Sequence, residues 1–78
     1  MNKKVIAYSS EMKGELDDDY TLYNDGSVLH EYDRNKYPGN YNLKEIVNAH
    51  EIKHSAKLRL LDATSTSDKE LAKTLLGL

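Results

Sequence analysis

Alternation of apolar and polar side chains marks the first part of the chain, and a repeat of three to four marks the second. Residues 3–9 have a short apolar centre, Val5-Ile6-Ala7-Tyr8, of the kind that forms a strand. Residues 10–18 are polar, include Gly14, and predict a loop. Residues 19–23, Asp-Tyr-Thr-Leu-Tyr, predict a second strand and residues 27–33 a third. Between them stand Asn24, Asp25 and Gly26. Asn and Asp suit a type I turn, and a glycine after them supplies the positive φ that closes a three-residue hairpin with a bulge. That loop pairs Tyr23 with Ser27. It puts Tyr20, Leu22, Val28, His30 and Tyr32 on one face of the sheet, the side toward the core. Thr21, Tyr23, Leu29, Glu31 and Asp33 fall on the other.

Pro38 and Gly39 end this region with a turn. Three capping-box patterns follow: Asn42 with Glu45, Asn48 with Glu51, and Ser67 with Glu70. They predict a short helix from Asn42, a longer one over 48–63, and a last one over 67–76 ended by Gly77. The apolar positions support a break near Asn48. Leu43, Ile46 and Val47 share one side of a helical projection, and Ile52, Ala56, Leu60 and Ala63 share a different one. Leu71, Ala72, Leu75 and Leu76 form the stripe of the last helix. Leu58 and Leu61 fall off the second stripe and mark an alternative surface for self-association. The expected fold is α+β: a three-stranded antiparallel sheet (residues 1–33) followed by two or three helices (42–76) packed on one face, all in one domain, 1–78.

Composition narrows what such a fold can do. The chain has 78 residues and no cysteine, which excludes disulfides and thiolate chemistry. The N-terminal apolar stretch is shorter than a signal-peptide core, so a cytoplasmic protein is expected. No apolar run is long enough for a membrane span. The net charge is −2, without the basic excess of a nucleic-acid binder. Residues 1–39 hold five basic and eight acidic side chains, and residues 40–78 hold six and five. All six tyrosines lie within the first 41 residues. Acid and tyrosine are therefore concentrated together.

One run carries a chemical signature. His50-Glu51-Ile52-Lys53-His54 has histidines four apart with a glutamate after the first, and resembles the zincin metallopeptidase motif. On a helix this spacing lets two imidazoles hold one zinc while Glu51 acts as general base on the bound water. The resemblance covers five residues. Where three-histidine zincins continue with glycine and a third histidine, this chain has Lys57 and Leu60. Glu70 is the downstream carboxylate that would complete a metal set of His50, His54 and Glu70. Local chemistry favours another role: with Asn48 as N-cap, Glu51 answers the cap and both imidazoles point away from the Ile52/Ala56/Leu60 stripe. His30, on the core face, is expected to be hydrogen-bonded and half-buried.

The function expected from these features is a small non-enzymatic protein–protein interaction module. Its size is that of small bacterial or phage regulators and inhibitors, and it would act by binding a partner protein. The expected contact residues are Asp17, Asp18, Asp19, Tyr23, Tyr37 and Tyr41, because tyrosine brings large contact area at low entropic cost. No cofactor, nucleic acid or membrane is implied. The alternative is a zinc-dependent hydrolase using the His50–His54 run.

Overall fold

The computed structural model describes residues 3–14, 16–34, 37, 39 and 41–78. Four antiparallel strands form one sheet in the order β1-β2-β3-β4: β1 (Val5–Lys13), β2 (Leu16–Tyr23), β3 (Ser27–Tyr32) and β4 (Leu43–Asn48). A 3-10 turn (Ala49–Glu51) leads to α1 (His54–Ala63). A second 3-10 turn (Thr66–Asp68) leads to α2 (Lys69–Leu76). The fold is α+β as expected, with four strands in place of three and two α-helices on one face of the sheet.

The β2–β3 hairpin has the expected register. Leu22 pairs with Val28, Thr21 with Leu29 and Tyr20 with His30. Gly26 takes φ +85°, and its N–H donates to Tyr23 O. Asp25 Oδ1 accepts from both the N–H and the hydroxyl of Ser27, which holds the Asp25 carboxyl below its ordinary range.

Four expectations are corrected. The acidic stretch is not a loop: β1 runs on to Lys13, and β2 starts at Leu16, paired with it across a two-residue connection. Aspartate is a poor strand former, but tertiary bonds override that preference here. Residues 43–48 are a strand, not a helix begun at Asn42. They pair with β3 from Ser27↔Asn48 to Tyr32↔Leu43, and Asn42 sits outside with a positive φ of 54°. The helix expected over 48–63 is interrupted. Asn48 caps only the 3-10 turn, its Oδ1 accepting from His50 N. Ile52 and Lys53 are then extended before α1 begins at His54. Likewise Ser67 lies inside the second 3-10 turn and caps nothing as an N-cap residue, since Asp68 precedes α2. Of the turn expected around Pro38, Gly39 is described, with φ +86°; Pro38 and Asn40 lie outside the described residues.

The core lies between the sheet and the helices. Leu22, Val28, Leu60 and Leu76 are fully buried. Each such side chain contributes roughly 1.5–3 kcal/mol on burial. Ala49, Ala56 and Ala72 are also fully buried, and their small side chains let backbone elements approach closely. A bulge in β1, between Val5 paired with Tyr23 and Ala7 paired with Leu22, brings both Ile6 and Ala7 into the core. Leu61 and Leu75 pack at its margin, while Leu58 and Leu71 are exposed. α1 packs on β1 and β2, and α2 packs on α1 and the first 3-10 turn. Among the described residues the helices pack on one side of the sheet and leave the other side bare.

Candidate functional site

Strand alternation splits the aspartate run between the two faces. Asp18 points to the helix side; Asp17 and Asp19 point to the bare side. Asp18 is buried in an ionic network. Arg59, from α1, donates from Nη1 to Asp18 Oδ2 at 3.0 Å and from Nη2 to Asp18 O at 2.8 Å. It also donates from Nε to Ser9 Oγ at 3.1 Å, and so ties α1 to both β1 and β2. His30 Nε2 lies 2.7 Å from the other Asp18 oxygen, and His30 Nδ1 lies 3.0 Å from Glu45 Oε1. The ring is stacked between Tyr20 (centroids 4.3 Å apart) and Tyr32 (4.5 Å). This network borders a cleft of about 350 Å³ that also takes in Val47, Glu51, Ile52 and Lys53. With both ring nitrogens occupied and both ring faces stacked, His30 acts as a structural cross-link.

The bare face is ordered in rungs running across the four strands. Tyr8 pairs with Thr21, Thr21 with Leu29, and Leu29 with Ile46, which makes one row of three large apolar side chains around the buried Thr21. On one side, the next row holds Val5 and Tyr23, with Lys3 Nζ 5.2 Å from the Tyr23 ring centroid. On the other side comes Ser10, Asp19, Glu31 and Lys44, followed by Met12 and Asp17. Val5, Tyr8, Met12 and Ile46 are 52%, 53%, 65% and 60% exposed, so four large apolar side chains on one sheet face meet solvent. Large apolar side chains gathered in the open on one face are a common mark of a contact surface.

At the acidic end Asp17, Asp19, Glu31 and Asp33 line a hollow of about 330 Å³ together with Tyr32, Asn42 and Lys44. Asp33 closes the β3–β4 connection. Its Oδ1 accepts from Asn42 N at 2.7 Å and its Oδ2 from Asp17 N at 3.0 Å. These two backbone donors, Asn42 first, hold the Asp33 carboxyl below its ordinary range.

The remaining residues singled out in the sequence are dispersed. Tyr23 is half-buried on the bare face. Tyr37 and Tyr41 are exposed in the β3–β4 connection, at the acidic end. His50 and His54 are both exposed but stand on separate elements, so the one-face helical spacing of the zincin pattern is not formed. A Cβ at Gly77 would fall 2.8 Å from His50 Nδ1, so that imidazole lies against the end of α2. Glu70 lies on α2, 3.9 Å from Lys73 Nζ. Among the described residues no three His, Asp or Glu side chains converge as a metal set. Among them, too, no helix is long and apolar enough to cross a membrane.

Sequence reasoning missed Arg59, Glu45, Tyr8 and Ile46. Arg59 had a signal: it adjoins Leu60 and follows Ala56 by three, at the flank of the buried stripe, where a guanidinium can reach inward. Compared with known proteins, the chain matches no family model, no curated protein and no solved structure.

Proposed function

We propose that this chain is a small, non-enzymatic protein–protein interaction module that binds a partner protein through the bare face of its sheet. The apolar row Tyr8–Thr21–Leu29–Ile46, flanked by carboxylates and uncovered by any helix, carries the reading. Sheet spacing sets the scale. Four strands about 4.8 Å apart, of nine, eight, six and six residues at about 3.3 Å per residue, present roughly 460 Å² in projection. A standard interface covers about 800 Å² per partner, and transient ones less. The face is thus large enough for a regulatory contact, and the exposed Tyr37 and Tyr41 extend it at one end. Of the expected contact residues, Asp17, Asp19 and Tyr23 belong to this surface, while Asp18 supports it from behind. In this reading the protein acts in the cytoplasm, in the manner of a small bacterial or phage regulator or inhibitor.

The test compares affinity capture from the native host by the wild-type chain and by a Tyr8→Ser/Ile46→Ser variant. Both positions are more than half exposed, so folding should be little affected. A partner retained by the wild type and lost by a folded variant supports the proposal. An identical set of retained proteins contradicts it.

A further inference from the structure

We infer that the segment docking on the bare face is basic: an extended, arginine- or lysine-bearing stretch of protein with apolar side chains between its cations. This rests on the function proposed above and specifies its partner. The first observation is an arrangement the free protein does not favour. Asp19 and Glu31 are direct cross-strand partners on one face, and like charges so placed destabilise a sheet. Asp17 and Asp33 repeat the pairing one rung further, joined by the bond from Asp33 N to Asp17 O. Four carboxylates thus surround one hollow. Among the described residues the cation within ion-pair distance of them is Lys44, 3.9 Å from Glu31. More negative charge gathers there than the −2 of the entire chain.

The second observation is what adjoins the hollow. The apolar row Tyr8–Thr21–Leu29–Ile46 is the next rung of the ladder, two residues away along each strand. A strand presents side chains to one face at that same two-residue interval. An extended segment with a cation and an apolar residue at such spacing would fill both rows at once. The carboxylates come from β2, β3 and the β3–β4 connection and do not converge as a three-ligand metal set. Their spread suits the wide, multi-donor guanidinium better than a single compact ion. Facing charge of opposite sign would also speed encounter and make binding salt-dependent.

Two octapeptides serve as probes, one with Arg-Ser-Leu-Ser repeated twice (the Arg–Leu peptide), so that Arg and Leu share one face, and its counterpart with Glu in place of Arg (the Glu–Leu peptide), titrated into the labelled protein and followed by amide chemical shifts. The Arg–Leu peptide should move the amides of Asp19, Glu31, Leu29 and Ile46, and the Glu–Leu peptide should not. Affinity should fall as salt is raised, and a triple Asp17→Asn, Asp19→Asn, Glu31→Gln variant should bind about tenfold more weakly or less. That variant should melt no lower than the wild type, because like-charge opposition is relieved. Equal binding of the two peptides, or undiminished binding by the triple variant, would overturn the inference. The same variant also separates the two levels of the proposal. If the Tyr8→Ser/Ile46→Ser chain loses the native partner while the carboxylate variant keeps it at full affinity, the face remains the binding surface and the basic occupant is refuted. If neither variant loses the partner, both are refuted.

Discussion

Replacing Arg59 by Met tests how the helix layer is fastened to the sheet. Arg59 is a largely buried cation whose side chain is 13% exposed, and its carboxylate partner Asp18 is 12% exposed. The guanidinium makes four hydrogen bonds, to Ser9 Oγ, Ser9 O, Asp18 Oδ2 and Asp18 O, and lies over the Tyr20 ring at 5.1 Å. Methionine preserves length and apolar packing but removes every donor. Asp18 is then left as a largely buried carboxylate deprived of this cation, a situation that costs about 3–5 kcal/mol. At about 0.05–0.15 kcal/mol per residue, a chain of 78 residues has a total stability of about 4–12 kcal/mol. The loss is therefore a large share of the whole and should lower the melting midpoint by about 12–40 °C. Adding Asp18→Asn to Arg59→Met should restore a good part of it, because an amide tolerates burial better than a carboxylate that has lost its guanidinium. Urea and thermal unfolding followed by circular dichroism would give both numbers. A single variant within about 1 kcal/mol of wild type, or a double variant no better than the single, would refute the idea that Asp18 depends on Arg59.

Gly77 takes φ +76° at the end of α2, so Gly77→Ala should cost about 1–2 kcal/mol in a chemical denaturation series; adding His50→Ala should recover only the part due to the imidazole contact. For Asp33 the folded carboxyl titrates below its unfolded value, so its contribution is fully present above about pH 4 and is lost as pH falls through the folded value. Asp33→Asn should therefore flatten the acid limb of the stability curve, measured as midpoint against pH, and an unchanged limb would rule out its role as a charged clamp.

The β2–β3 hairpin was legible because its turn chemistry is local. Asn24, Asp25 and Gly26 set the loop length, and loop length sets which face each neighbour takes. The Ala72/Leu76 stripe and the Gly77 stop were legible for the same reason. β4 was not, and the cause lies in the site. Its helix-side positions are Leu43, Glu45 and Val47, with the exposed Glu45 reaching His30. Its outward positions include Ile46, which completes the apolar row on the bare face. A polar residue on the helix side and an apolar residue on the bare side cancel the two-residue period, and the remaining pattern imitates a helix. The aspartate run misled in a related way. Asp18 is held in a strand by Arg59 and His30, and Asp19 Oδ1 accepts from Ser10 Oγ at 2.8 Å, neither of which is a neighbour in sequence. The places where periodicity failed are thus the places where side chains serve the network or the bare face.

The most direct test of the central claim is amide-resolved mapping of the chain with its captured partner bound. Perturbations confined to Tyr8, Thr21, Leu29, Ile46 and the neighbouring carboxylate row would match a partner seated on the bare sheet. Perturbations confined to α1 and α2, with those strand amides unmoved, would contradict it.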